Sequence, residues 1–189
     1  MYNNEVSIHT DHADCSCHRP TTGDRRTFLK LAALGGGAML LSATPARHAA
    51  AAGNIEALLL SCMDYRLVDD VVRYMDGRGL NNNYDHVILA GAGLGALTEK
   101  EPAWGETFFK HVEVAKALHG IKKVIVMDHR DCGAYRVFLN QDLKGDPAEE
   151  TAVHAEILGK LGTMIRQKHP DLGVELLLTA LDGSVEKIA

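Results

Sequence analysis

Four short apolar runs recur along the chain after position 52: Ile55 to Ser61, His86 to Ala90, Lys123 to Met127 and Val174 to Ala180. Apolar residues at consecutive positions, rather than alternate ones, are what a strand buried on both faces requires, so these runs predict four strands of a parallel sheet. Between them the apolar period lengthens to that of helices. Val68, Val71, Val72 and Met75 form one set, Phe108, Val112, Ala115 and Leu118 a second, and Val153, Ile157, Leu161 and Met164 with Ile165 a third. Gly120 and Pro170 punctuate helix ends just before the third and fourth runs. The order β-α-β-α-β-α-α-β predicts an α/β fold, a parallel sheet of about four to five strands flanked by helices and joined by right-handed crossovers. Asp182-Gly183-Ser184-Val185 follows the last run and leaves room for a surface strand or a dimer contact.

The first fifty residues follow another pattern. Arg25-Arg26-Thr27-Phe28-Leu29-Lys30 leads into an apolar stretch from Leu31 to Leu41 containing Gly35, Gly36 and Gly37, and then into Ser42-Ala43-Thr44-Pro45-Ala46. This reads as a signal peptide and resembles a bacterial twin-arginine export signal. The stretch is too short for a spanning helix, which needs about 20 residues. Ala49-Ala50-Ala51 offers a small-x-small cleavage site. The chain is therefore expected to divide into a signal peptide with a polar extension, 1–51, and a mature domain, 52–189. The twin-arginine translocase would be its partner in export and the periplasm its destination. Cys15, Cys17 and His18 lie upstream of the arginine pair and are read as incidental.

Composition narrows the class. The 189 residues are 46% hydrophobic and 5% aromatic, with a formal charge of -5, which fits a soluble globular domain and excludes a disordered, collagenous or polytopic membrane chain. Removing 1–51, which holds five basic and four acidic residues, leaves 15 basic and 21 acidic in 52–189. An acidic domain without a basic cluster does not suit nucleic acid. Two cysteines remain after position 52, Cys62 and Cys132.

Chemistry gathers where strands of such a sheet end, beyond their carboxyl ends. Cys62, Asp64 and Arg66 occupy alternate positions after the first run, so in extended chain their side chains project the same way. His129 and Cys132 follow the third run, three residues apart and before Gly133. Two thiolates and an imidazole suit Zn2+, and three protein ligands leave one tetrahedral position open, as catalytic sites do. The alternative is a Cys62–Cys132 disulfide or a redox pair, but that leaves Asp64, Arg66 and His129 without a purpose.

The paired motifs Cys62-x-Asp64-x-Arg66 and His129-x-x-Cys132-Gly133, with the turn Gly91, Ala92, Gly93 between them, resemble the β-class carbonic anhydrases over most of 55–181. The resemblance implies a parallel-sheet α/β fold, a homodimer or higher homo-oligomer, and catalytic zinc on Cys62, His129 and Cys132. Asp64 and Arg66 would be the family's aspartate-arginine dyad, and the turn would border the substrate pocket. It implies reversible hydration of CO2 to bicarbonate by a zinc-bound hydroxide, with Asp64 accepting a hydrogen bond from the bound water. In some members the aspartate instead closes the fourth zinc position. Two departures keep alternatives open: Ile88-Leu89-Ala90-Gly91-Ala92 has no side-chain amide where the family has asparagine, and Tyr65 replaces the usual serine. The alternatives are a zinc hydrolase of a related substrate such as carbonyl sulfide, and a non-catalytic periplasmic zinc-binding module.

Other signals are weaker. Gly91-x-Gly93-x-Gly95 departs from the dinucleotide fingerprint. His86, His111, His119, His154 and His169 are expected to be surface or core histidines, with His154 or Tyr135 a candidate proton relay. Trp104, Phe108 and Phe109 are expected in the core. Arg130 and Asp131 lie between two ligands and either tune the site or form a solvated pair.

Overall fold

The computed structural model describes residues 53–188. The signal peptide expected over 1–51 and the cleavage point next to it lie outside the described residues.

Five strands form one sheet: β1 (Ala57–Cys62), β2 (Tyr84–Leu89), β3 (Lys123–His129), β4 (Gly173–Thr179) and β5 (Val185–Ile188), in the spatial order β2-β1-β3-β4-β5. The first four run parallel, as their apolar runs predict. The fifth is antiparallel to β4, from Leu176 opposite Ile188 to Thr179 opposite Val185. The Asp182-Gly183-Ser184 segment makes that reversal possible. Ala180 takes the Ser184 carbonyl at 2.8 Å, and the Asp182 side chain accepts from the Ser184 amide at 2.9 Å.

Helices α1 (Val68–Gly77), α2 (Pro102–His119), α3 (Gly133–Leu139) and α4 (Pro147–Lys168) cover the sheet. The period-two alternation of strands divides the core in two. Leu58, Leu60, Val124 and Val126 face Phe108 and Val112 of α2 and Leu158, Leu161 and Ile165 of α4, whereas Leu59, Ile125 and Met127 face Val71 and Met75 of α1. Helix α4 has its boundaries written in sequence. Asp146 accepts from the amides of Ala148 and Glu149, both at 3.0 Å, Pro147 opens the first turn, and the Pro170 stop follows.

Three predicted apolar stripes are corrected in part. In α1 only Val71 and Met75 are buried, while Val68 and Val72 are 55% and 43% exposed, because one helix lying on one sheet face contacts it along a single narrow line. In α4 Leu161 and Ile165 are buried as expected, but the rest of the line is His154 and Leu158, while Val153 and Ile157 are only half-buried and Met164 is exposed. Likewise Leu118 of α2 faces solvent, and Phe108, Phe109, Val112 and Ala115 face inward. Trp104 meets Phe138 of α3 edge-on, with ring centroids 5.7 Å apart.

Candidate metal centre

Strands β1 and β3 are parallel neighbours in the sheet, which brings Cys62 and His129 to the same carboxyl end of it. Past His129 the chain turns at Asp131, whose φ of 55° is left-handed, and Cys132 then sits at the start of α3. Asp tolerates that region better than most residues. One sulfur each from Cys62 and Cys132 and one ring nitrogen of His129 lie within 4.8 Å of one another. Cys62 is half-buried, and the other two are buried.

The donor set fits a metal ion. His129 Nδ1 donates to the Arg130 carbonyl at 2.8 Å, which fixes the ring and leaves Nε2 as the ligating atom. That Nε2 is buried and has no hydrogen-bond partner among the described residues. A buried imidazole nitrogen without a partner is costly. Soft sulfurs beside it match the preferences of zinc, and three ligands leave a fourth position open.

The two sulfurs lie 3.9 Å apart and share a hydrogen bond. Donation from the Cys132 thiol lowers the pKa of Cys62, with burial opposing and His129 reinforcing the shift. The same contact, with burial, raises that of Cys132. Burial pulls His129 down, but the Cys62 thiolate outweighs it and the net shift is upward. The Gly91 amide also donates to the Cys62 sulfur, at 3.2 Å.

Asp64 caps the single 3₁₀ turn Tyr65–Leu67 and is gripped by Arg66. The guanidinium donates to both its carboxylate oxygens, at 2.9 and 2.8 Å, and the Arg66 amide adds a third bond at 3.0 Å. These bonds hold the Asp64 pKa down at about 2 despite some burial. An Asp64 oxygen lies 3.8 Å from His129 Nε2, but the residue is not among the three donors. Arg66 is itself anchored: it reaches the Asp131 carboxylate at 2.9 Å and carbonyl at 3.0 Å, while Lys144 holds the other Asp131 oxygen at 2.9 Å. Arg130, between the ligands, is neither ligand nor solvated charge. It bonds Glu150 and Thr151 at the start of α4, at 3.2 and 2.8 Å, and Glu186 of β5, pinning the ligand loop to the scaffold.

Beside the donors opens a cleft of about 450 Å³, lined by Cys62, Asp64 and Cys132 and by apolar Met63, Ala134 and Phe138. The turn Gly91, Ala92, Gly93 lies behind Cys62 and is fully buried. At Gly91, φ is +76° and a side chain would meet the Ala134 Cβ at 2.9 Å. The predicted turn thus touches the sulfur of one of the three candidate donors. His154 and Tyr135, named above as relay candidates, are both buried and point at Asp128 rather than at the donors. Asp128 is the residue that motif reading passed over. Its one sequence signal is an acidic residue within the buried run Val124-Ile125-Val126-Met127-Asp128-His129.

The chain is 40% identical over 141 residues to an uncharacterised protein of Rickettsia conorii, covering 75% of this chain and 76% of that one. Among solved structures it is similar to tetrameric β-carbonic anhydrases from Sordaria macrospora, at 14% identity and TM-score 0.45, covering 87% of this chain and 98% of that one. It is also similar to the β-carbonic anhydrase CafA of Aspergillus fumigatus, at 14% identity and TM-score 0.42, covering 86% of each chain. Residues 53–188 match the family described as "Putative carbonic anhydrase", and the chain belongs to that family.

Proposed function

We propose that the protein is a zinc-dependent carbonic anhydrase that interconverts carbon dioxide and bicarbonate. The observation that carries this reading is the convergence of Cys62, His129 and Cys132 within 4.8 Å, with the Arg66-held carboxylate of Asp64 at its side. Zinc, when bound, supplies the Lewis acidity that makes water a nucleophile near neutral pH. Cys62, His129 and Cys132 would hold the ion, and their two thiolates offset its formal charge. That places more demand on Asp64, which Arg66 keeps ionised and directed, ready to accept a hydrogen bond from the attacking water. The apolar wall formed by Met63, Ala134 and Phe138 suits a small uncharged substrate such as carbon dioxide.

Arg25-Arg26 and the apolar run after it support export to the periplasm by the twin-arginine route, with 52–189 as the mature protein. Exposed Met63, Tyr65, Val68 and Val72, along the segment from β1 into α1, support a homo-oligomer that covers them.

The test is metal content, thiol titration and stopped-flow carbon dioxide hydration on one purified sample. About one zinc per chain with fast hydration is expected. One zinc without hydration would move the reading to carbonyl sulfide or to a zinc-binding module, and oxidised thiols without zinc would overturn it.

A further inference from the structure

Three hydrogen bonds converge on Asp128, whose side chain is fully buried. The Gly93 amide donates to Oδ1 at 2.8 Å, His154 Nδ1 to Oδ2 at 3.1 Å, and the Tyr135 hydroxyl also to Oδ2. The rings of Tyr135 and His154 pack together, with centroids 4.0 Å apart. A carboxylate buried in an apolar core survives only with such a set of donors.

The position of these donors gives the cluster its meaning. Asp128 directly precedes His129 in β3. Tyr135 follows Cys132 by one turn, and its amide bonds the Cys132 carbonyl at 3.2 Å. Gly93 belongs to the turn whose Gly91 amide reaches the Cys62 sulfur, and the turn is closed internally by Leu94 to Gly91 at 2.9 Å and Ala96 to Ala92 at 3.1 Å. Asp128 thus sits beside His129 in β3, bonds the helix that follows Cys132, and bonds the turn whose Gly91 amide reaches the Cys62 sulfur. Gly93 is built for this approach, since a Cβ there would lie 3.1 Å from Asp128 Oδ1.

We propose that Asp128, held by Tyr135 and His154, is a positioning residue for the metal centre, setting the Gly91–Gly93 turn so that Gly91 donates to the Cys62 sulfur. This rests on the metal reading above. The segment Ile88-Leu89-Ala90-Gly91-Ala92 has no side-chain amide, and the Asp128 carboxylate of β3 reaches the turn at Gly93. Partners of this kind orient ligands, and their loss typically weakens metal binding about 10–100-fold.

The test uses the full chain loaded with Co2+, whose thiolate charge-transfer band reports the sulfur environment, together with zinc affinity by chelator competition. Asp128→Asn and Tyr135→Phe are compared with Leu161→Val, which weakens the same core without a polar contact. The two polar variants are expected to shift the band and to weaken zinc at least about 10-fold, with Leu161→Val like wild type in both. If Asp128→Asn does not fold, Tyr135→Phe, which keeps the carboxylate and removes one donor, decides. Wild-type band and affinity in the polar variants would overturn the inference, as would an equal change in Leu161→Val. A wild-type chain that takes up no cobalt overturns the metal reading itself, and this inference with it.

Discussion

The sulfurs of Cys62 and Cys132, 70 positions apart in sequence, lie 3.9 Å from each other, Cys62 at the end of β1 and Cys132 at the start of α3. Each is one of three donors, and a site with two donors binds zinc far more weakly than one with three. Cys62→Ser and Cys132→Ser are each expected to bring zinc content below about a tenth per chain, measured by elemental analysis after dialysis against a weak chelator. A serine variant that retains full zinc would show that the set is not the site.

Metal binding should release protons, and more of them as pH falls. Cys132 has a raised pKa, so it keeps its proton near neutral pH and must lose it to ligate. His129 is also shifted upward and is protonated below its raised pKa. Zinc uptake is therefore expected to release more protons below the raised pKa of His129 than above it, with affinity falling toward acid. Calorimetry in buffers of different ionisation heat measures this count, and a pH-independent affinity would contradict it.

Asp131 should matter through Arg66. It anchors the guanidinium at two points, and Arg66 in turn directs Asp64. Asp64→Asn is expected to leave zinc bound and to lower kcat about 100-fold or more. Asp131→Asn should also retain zinc and lower kcat about 10-fold. Steady-state hydration rates on metal-replete protein separate the two. Equal losses would give Asp131 a more direct role than the structure assigns.

Gly93→Ala places a methyl against Asp128 and 3.3 Å from Leu158. Overpacking of this kind costs about 1–3 kcal/mol. Urea denaturation should show a lower midpoint with an unchanged slope. Wild-type stability would mean that the turn yields where the structure shows it closed.

The strands and the donors were legible because their signals are local. Consecutive apolar residues announced β1 to β4, and Cys62, Asp64, His129 and Cys132 stand within seven-residue spans at the ends of two of those runs. What depended on distant partners was not legible. A histidine reads as polar, so the stripe of α4, right at Leu161 and Ile165, falls on Val153 and Ile157 rather than on His154 and Leu158. His154 is in fact buried, because Asp128, 26 positions earlier, accepts a hydrogen bond from its ring. Asp128 was hidden for the same reason: its partners Gly93, Tyr135 and His154 come from three separate segments. The short run Val185–Ile188 carried too few residues to distinguish a strand from a surface tail until its pairing with β4 was visible.

The strand order also bears on how the centre lasts. β1 and β3 each have a strand on both sides, so the segments carrying Cys62 and His129 are interior, and β2 and β5 form the edges. Partial opening of a native protein begins at edges and termini, whereas interior strands open only with the whole domain. Fraying at either rim thus leaves the strands of these two candidate donors paired. A bound ion would leave through the open cleft from an intact scaffold, and its residence time would be set by ligand exchange rather than by the breathing of the fold.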